Sequence, residues 1–331
     1  MPRRSARDHS PISFLRLATD VDSLAAALLG LGLGRGDHVG LIAENRYEWL
    51  LVDQALVGLG IVDVPRGSDT TPTELQFILA HSGCTADFAE DDRVAAELIE
   101  MKGELPKLKH VIVMADATTV EGALTLGELL ANGVAAGEAG IEKVRSARQL
   151  VQGSDLLTIV YTSGTTADPK GVVLTHQNVL SNTHSINQVL GVGPQDTFLS
   201  VLPAWHVYER IIDYLCLSCG GELVYTSRRK IKEDLRIVQP TVFAAVPRIW
   251  ENIHDGIVGH CNKLTGFKKR LMNSALESSR AVARRDASLF TKLKHKVYSK
   301  TLLPKILQTT GGRMRIAVSG GGALPTHVDE L

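Results

Sequence analysis

Residues 156–176 read Leu-Leu-Thr-Ile-Val-Tyr-Thr-Ser-Gly-Thr-Thr-Ala-Asp-Pro-Lys-Gly-Val-Val-Leu-Thr-His. The first six are apolar and rich in β-branched side chains, which predicts a strand, and residues 171–174 predict a second strand. The loop between them consists mostly of small, hydroxylated and glycine residues and ends in Lys170. Glycine lets a backbone approach a ligand closely, hydroxyl groups donate hydrogen bonds, and lysine adds a compact positive charge. The stretch therefore predicts a loop that binds a polyphosphate.

This loop differs from the common phosphate-binding loop of kinases and GTPases. There, the lysine is followed by Ser or Thr at the start of a helix, whereas Lys170 is followed by Gly171 and a strand. The difference disfavours a kinase or GTPase. A Ser/Thr-rich surface hairpin is the alternative interpretation, but such a hairpin does not require a specified loop that ends in Pro-Lys-Gly.

Outward from this loop, short segments with strand and helix patterns alternate on short connections. The expected elements are a helix within 15–33, a strand at 38–43, a helix at 47–59, a strand at 61–65, a helix starting at Thr71-Pro72-Thr73-Glu74, and a strand at 111–114. Residues 115–153 are rich in Ala, Gly and Glu with weak periodicity, and we expect a surface excursion there. The alternation predicts an α/β fold with a largely parallel sheet.

Composition limits the classes of function. The 331 residues carry no formal net charge, so no general attraction to nucleic acid is expected. No apolar run reaches the ~18 residues of a membrane span. The four cysteines are too few and scattered for a disulfide framework, which favours a cytoplasmic protein. Cys216 and Cys219 form a Cys-x-x-Cys pair, which we interpret as helix packing rather than a zinc or redox site.

Residues 263–305 are strongly basic, and Glu277 and Asp286 are the only acids among them. The favoured interpretation is a solvated face of a helical segment. The alternative is a patch that contacts an anionic membrane peripherally or binds an acidic carrier protein.

Residues 161–171 resemble the signature loop of the adenylate-forming (AMP-binding) superfamily, which includes acyl-CoA synthetases, peptide-synthetase adenylation domains and luciferases. The resemblance extends from about residue 13 to Leu331, and residues 36–49 are similar to the first sequence block of that family. Residues 202–210, Leu-Pro-Ala-Trp-His-Val-Tyr-Glu-Arg, and 246–251 resemble the branch of long-chain fatty acyl-CoA and acyl-carrier-protein synthetases. Residues 319–325, Ser-Gly-Gly-Gly-Ala-Leu-Pro, are similar to the family's glycine block beside adenine and the acyl carbonyl.

The resemblance implies a fold and an activity. The fold would be the large N-terminal domain of the acyl-CoA synthetase/luciferase type, with mixed, largely parallel sheets flanked by helices, spanning residues 1–331 and incomplete at its C-terminus. The reaction would use ATP and Mg²⁺ to convert a long-chain fatty acid into an acyl-adenylate and pyrophosphate. The acyl group would then pass to coenzyme A or to an acyl-carrier protein, so an acyl-carrier-protein-directed synthetase is an alternative.

The resemblance also implies the site residues. Lys170, His206 and Thr166 would be catalytic, and Thr166 would also bind the metal ion. His206 would line the acyl-adenylate pocket, while the alternative is a hydrogen-bonded core histidine. The expected nucleotide-binding residues are Thr162, Ser163, Gly164, Thr165, Thr166, Ala167, Lys170, Ser319, Gly320, Gly321, Gly322 and Ala323.

Two departures from the family pattern bear on activity. Ala167 stands where the family loop usually has glycine, which costs about 1–2 kcal/mol if that backbone needs a positive φ. The family's Tyr-Gly-x-Thr-Glu motif and its small C-terminal domain with a catalytic lysine would lie beyond Leu331. The chain is therefore expected to be either a truncated ligase or a non-catalytic nucleotide- and acyl-binding remnant. Alone, it is expected to be unstable or prone to aggregation because of unpaired sheet edges.

Overall fold

The structure is a computed structural model that describes residues 11–162 and 168–330. Its helices and strands are, in chain order, α1 (Phe14–Gly30), β1 (His38–Ile42), α2 (Tyr47–Gly58), β2 (Val62–Arg66), α3 (Pro72–Ser82), β3 (Ala86–Ala89), α4 (Asp92–Glu100), β4 (His110–Val113), β5 (Leu124–Thr125), α5 (Leu126–Ala135), α6 (Gly137–Gln149), β6 (Leu156–Thr162), β7 (Lys170–Thr175), α7 (His176–Leu190), β8 (Thr197–Ser200), α8 (Val207–Cys219), β9 (Glu222–Tyr225), α9 (Ile231–Val238), β10 (Val242–Ala245), α10 (Pro247–Asn262), α11 (Gly266–Ala283), α12 (Leu289–Thr301), α13 (Leu303–Leu307), β11 (Ile316–Ser319) and α14 (Thr326–Asp329).

These elements form two compact units. The first takes in the described residues up to Ile186 together with Pro203–Ile211. The second takes in Asn187–Leu202 and the described residues from Ile212 onward.

The first unit contains a seven-stranded sheet in the order β5-β4-β3-β1-β2-β6-β7. Neighbouring strands are parallel except for β6 and β7, which form an antiparallel hairpin. Successive residues of a strand point to opposite faces, so Phe88 packs in a core with α1 and α2 while Ala89 packs with α3 and α4. Helices therefore cover both faces, and the predicted α/β fold is confirmed.

Helix boundaries in this unit follow local capping chemistry. Thr71 is the N-cap of α3, and its side chain accepts a hydrogen bond from the backbone N–H of Glu74, as the sequence predicts. At the other end, Gly83 adopts a left-handed conformation with φ of 70° and stops the helix. Strand β3 and helix α4 were not predicted from the sequence, because β3 has only four residues and includes Asp87.

The expectation of a surface excursion at residues 115–153 is wrong. This stretch contains β5, α5 and α6, and α5 begins with a capping box between Thr125 and Glu128. Gly133 of α5 lies directly against the backbone carbonyl of Ser23 in α1. Small residues weaken the hydrophobic periodicity, yet they let two helices approach closely, so the sequence pattern looks like a loop.

The second unit contains a four-stranded parallel sheet in the order β11-β10-β8-β9. Helices α10 to α13 surround a separate apolar cluster that includes Met272, Leu276 and Leu303. Cys216 is buried at the C-terminal end of α8, which confirms its interpretation as a packing residue. None of the described helices has both the length and the apolar character needed to cross a membrane.

Strand β7 lies at one edge of the seven-stranded sheet and exposes Val172 and Val173. Exposed apolar side chains on an edge strand favour pairing with another chain. They agree with the expected tendency to aggregate, which stays a prediction.

Asp87 is an ionisable group in the apolar core of the first unit. It is fully buried, and neither carboxylate oxygen has a hydrogen-bond partner among the described residues. Burial raises the pKa of Asp87 well above its usual value. The folded state therefore holds a proton that the unfolded state releases, and stability falls as the pH rises from about 4 toward the raised pKa, by about 1.4 kcal/mol per pH unit.

We expect Asp87→Asn to abolish this slope and to increase the free energy of unfolding at pH 7. Urea unfolding at pH 5 and pH 7 measures both effects. Asp92→Asn serves as the control. Hydrogen bonds from Thr118 and Thr119 lower the pKa of Asp92, so this carboxyl group contributes to the pH dependence of stability with the opposite sign. An unchanged slope in Asp87→Asn would contradict the assignment.

Candidate functional site

The β6–β7 hairpin holds the predicted polyphosphate loop. Thr162 at the end of β6 lies opposite Lys170 at the start of β7 in the antiparallel register. Both residues are exposed, so Lys170 is accessible to an anionic ligand. The predicted site residues Ser163, Gly164, Thr165, Thr166 and Ala167 lie outside the described residues, and their roles stay predictions.

Gly171, directly after Lys170, has a packing reason to be glycine. A Cβ atom there would lie 2.9 Å from Cγ2 of Ile159 and 3.2 Å from the ring of Tyr161. Any side chain would thus push β7 away from β6. The bare backbone keeps the hairpin closed below the loop, which fixes the strand on which Lys170 sits.

The segment that contains His206 lies at the carboxyl end of the same sheet. The backbone N–H of Ala204 donates a hydrogen bond of 2.7 Å to Oδ1 of Asn45, which follows β1. Trp205 lies close to Gly67, which follows β2, because a Cβ on Gly67 would be 3.0 Å from Nε1 of Trp205. In α/β sheets, ligands bind at the carboxyl ends of the strands.

Arg66, the last residue of β2, joins the two parts of this edge. Its Nη1 donates a hydrogen bond of 3.1 Å to the backbone carbonyl of Tyr161, just before the predicted polyphosphate loop. Its guanidinium also lies 5.6 Å from the centre of the Trp205 ring, and it forms an ion pair with Glu74. Arg66 was not predicted as a site residue. The available signal was an arginine directly after a predicted buried strand.

His206 is exposed and lies just before α8, so the alternative of a core histidine is wrong. Its Nδ1 accepts a hydrogen bond of 3.3 Å from the backbone N–H of Tyr208. Desolvation by neighbouring atoms lowers the pKa of His206 below its usual value, which favours a neutral imidazole at pH 7. With Nδ1 as acceptor, the proton of the neutral ring is on Nε2, which is then a donor for a ligand.

Arg210 anchors the first turn of α8 in the core of the first unit. It is fully buried and forms ion pairs with Asp53 and, at 2.9 Å, with Asp63. Its guanidinium also lies 5.7 Å from the centre of the Trp49 ring. Burial raises the pKa of Asp63 to about 6, because desolvation outweighs the opposing charge of Arg210. These contacts fix the position of the first turn of α8, directly after His206.

The predicted glycine block belongs to the second unit. Ser319 is the last residue of β11, and the backbone N–H of Gly320 donates a hydrogen bond of 3.2 Å to the carbonyl of Ala245. Gly321 has a φ of +76°, which an L side chain rarely adopts. Gly321, Gly322 and Ala323 are exposed. The block therefore presents bare backbone at the carboxyl end of a strand, and its contact with adenine stays a prediction.

The described residues also bear on Arg248 and on the predicted metal site. Arg248 forms an exposed ion pair with Glu251 at 3.3 Å. Across 11–162 and 168–330, no group of three or more His, Cys, Asp or Glu side chains is placed to hold a metal ion. The predicted metal ligand Thr166 falls between these ranges.

Curated relatives of this chain include long-chain acyl ligases. It is 29% identical to a chloroplast long-chain-fatty-acid–[acyl-carrier-protein] ligase of Arabidopsis thaliana, over 98% of this chain and 50% of the relative. It is 30% identical to the peroxisomal long chain acyl-CoA synthetase 6 of the same plant, over 98% of this chain and 46% of the relative. It is 29% identical to a long-chain-fatty-acid–CoA ligase of Mycobacterium tuberculosis, over 93% of this chain and 51% of the relative. The chain spans about half the length of these relatives.

Solved structures share the fold. The N-terminal domain of FACL13 from Mycobacterium tuberculosis matches with a TM-score of 0.68 and 22% identity, over 98% of this chain and 66% of that one. A red-emitting luciferase from Phrixothrix hirtus matches with a TM-score of 0.71 and 16% identity, over 98% of this chain and 54% of the luciferase chain. At these identities the likeness concerns the fold, and it confirms the expected acyl-CoA synthetase/luciferase architecture.

The family model described as "AMP-binding enzyme" matches residues 2–330. This match covers both units and every residue of the predicted site. The chain therefore belongs to the family of AMP-binding enzymes.

Proposed function

We propose that the protein activates a long-chain fatty acid with ATP. The observation that carries the proposal is the exposed Lys170 at the base of a hairpin loop, tied through Arg66 to the segment that bears His206. The family match and the long-chain ligases among the relatives support this substrate class.

The chemistry follows from the groups at this edge. An oxygen of the fatty acid carboxylate attacks the α-phosphorus of ATP, and the bond from that phosphorus to the β-phosphate oxygen breaks. The acyl-adenylate forms and pyrophosphate leaves. Lys170 would stabilise the charge that develops on the departing phosphates, and the Nε2–H of His206 would donate to the acyl-adenylate.

Mg²⁺ and the acyl acceptor rest on the resemblance alone. Thr166 would contribute a hydroxyl ligand to Mg²⁺, whose chemistry is to neutralise phosphate charge. Coenzyme A is the acceptor that we propose, and an acyl-carrier protein is the second candidate because one relative is named as a ligase for that acceptor. A non-catalytic nucleotide-binding remnant is the competing function.

Lys170→Gln tests nucleotide binding. We expect it to weaken ATP binding roughly 10- to 100-fold, because hydrogen bonds to charged groups contribute about 1.5–3 kcal/mol. Isothermal titration calorimetry with ATP measures the change. Lys143→Gln is the matched control, since Lys143 is an exposed lysine on α6, and its affinity should equal that of the wild type.

Fatty-acid-dependent exchange of pyrophosphate into ATP separates the competing functions. Exchange that requires a long-chain acid and is lost in Lys170→Gln supports the ligase. ATP binding without exchange identifies a remnant. Equal ATP affinity in wild type and Lys170→Gln would refute the proposed site.

A further inference from the structure

Helix α12 exposes a stripe of large apolar side chains. Leu289 is 86% exposed, Phe290 75%, Leu293 63% and Val297 55%. Spacings of four and eight residues place Leu289, Leu293 and Val297 on one helical face, with Phe290 beside them. No residue of α12 is buried. Helix α12 is thus a solvated helical face, as the favoured interpretation of residues 263–305 expects, but this face carries an apolar stripe.

Lysines border this stripe on both sides. Lys292, Lys296 and Lys300 are exposed and follow one another at intervals of four residues along one border. Lys294 lies on the other border, with its ammonium 5.7 Å from the centre of the Tyr298 ring. Helix α12 contains no acidic residue, so its outward face is apolar along the middle and cationic at the edges.

The packing of α12 fixes which face points outward. Tyr298 and Leu302 pack against the apolar cluster that α10, α11 and α13 share, which includes Met272 and Leu303. On the helical wheel Tyr298 lies about 100° from Val297 and about 140° from Leu293. The helix is thus held by its inner side, and the stripe remains in water.

We propose that α12 is a docking surface for anionic lipid headgroups. An amphipathic helix with bulky apolar residues and flanking lysines lies in the plane of a membrane surface, with the apolar residues in the acyl boundary and the cations on lipid phosphates. Charge complementarity selects an anionic surface, and the protruding Leu and Phe side chains favour the lipid over an acidic carrier protein. The inference rests on the proposed function and deepens it, because the proposed substrate, a long-chain fatty acid, partitions into membranes.

Vesicle co-sedimentation of the 331-residue protein tests the proposal. With vesicles of equal parts phosphatidylcholine and phosphatidylglycerol, we expect at least tenfold more bound protein than with phosphatidylcholine alone. Raising the salt concentration should weaken the binding, because salt screens exposed charges. The assay contains no ATP and no fatty acid, so its outcome is independent of ligase activity.

Two variants locate the surface. The first combines Leu289→Ser, Phe290→Ser and Leu293→Ser, and we expect at least a tenfold loss of vesicle binding. The matched control combines Val134→Ser and Leu150→Ser, which remove exposed apolar side chains from the first unit and should leave vesicle binding unchanged. Circular dichroism and thermal unfolding verify that each variant is folded.

The second variant combines Lys292→Gln, Lys296→Gln and Lys300→Gln and keeps the apolar stripe. It should bind the mixed vesicles as weakly as the wild type binds phosphatidylcholine. Equal binding of the wild type to both vesicle types, or full binding by both variants, would overturn the proposal. So would binding of an acidic acyl-carrier protein to α12 in place of vesicles.

Discussion

Arg210→Met is expected to lower the free energy of unfolding by about 3–5 kcal/mol, the cost of breaking a buried ion pair by removing one partner. Arg210, Asp53 and Asp63 are fully buried, and one guanidinium neutralises two carboxylates. Methionine has a similar length, so the loss measures the charge rather than the volume. Urea unfolding monitored by circular dichroism gives the value.

The pH dependence of this loss has a defined sign. The pKa of Asp63 is already raised to about 6, and removing the nearby cation raises it further. A carboxyl group with a raised pKa in the folded state costs stability as the pH rises, so Arg210→Met should be less destabilised at pH 5 than at pH 8.

Two comparisons make the Arg210 result decisive. Arg248→Met removes an exposed arginine paired with Glu251 and should cost less than about 1 kcal/mol. Replacing Asp53 and Asp63 by leucine together with Arg210→Met should recover much of the stability, because a well-packed apolar set can substitute for a buried ionic one. A loss below about 1 kcal/mol in Arg210→Met would contradict the role of these ion pairs.

Gly133→Ala is expected to destabilise the protein by about 3 kcal/mol or more, although alanine is the better helix former. A Cβ atom at residue 133 would overlap the carbonyl oxygen of Ser23 and contact its Cα at 2.9 Å. These are backbone atoms, so no side-chain rotation can relieve the overlap. Helices α1 and α5 must separate and lose packing contacts around Leu129.

Gly256→Ala is the matched control for this substitution. Gly256 also lies inside a helix, α10, but nothing lies within 4 Å of a Cβ placed there. We expect this variant to gain up to about 1 kcal/mol from helix propensity alone. Thermal unfolding of both variants should therefore show shifts of opposite sign. A neutral Gly133→Ala would mean that α1 and α5 are not in close contact.

Much of the fold was predictable because local signals agreed with it. A short apolar stretch marks β1, a run of β-branched residues marks β6, and the Thr71 cap marks α3. Helices α5 and α6 were missed because their apolar pattern is diluted by residues such as Gly133 and Gly140, which serve close helix contacts. That function depends on a partner helix about a hundred residues away, and a single segment does not reveal it.

The candidate site was predictable only in part for a similar reason. Residue types alone predict phosphate-binding chemistry for the loop that ends in Lys170, and this stays a prediction. Arg66 and Arg210 were not assigned roles, because their partners, Tyr161 for Arg66 and Asp53 and Asp63 for Arg210, lie about 95 to 157 residues away in the chain. Sequence patterns record the periodicity of one element and carry no record of such pairings.

The antiparallel pairing of β6 with β7 has a consequence for the order in which the chain folds. These strands are joined by a short loop, whereas the parallel pairing of β6 with β2 brings Thr158 beside Asp63. Closing a long loop costs more chain entropy, and hairpins form within microseconds. We therefore expect the β6–β7 hairpin, which flanks the predicted polyphosphate loop, to form early and to enter the sheet as a unit. Its later docking beside β2 would then create the contact between Arg66 and Tyr161, so this edge of the sheet would be assembled late in folding.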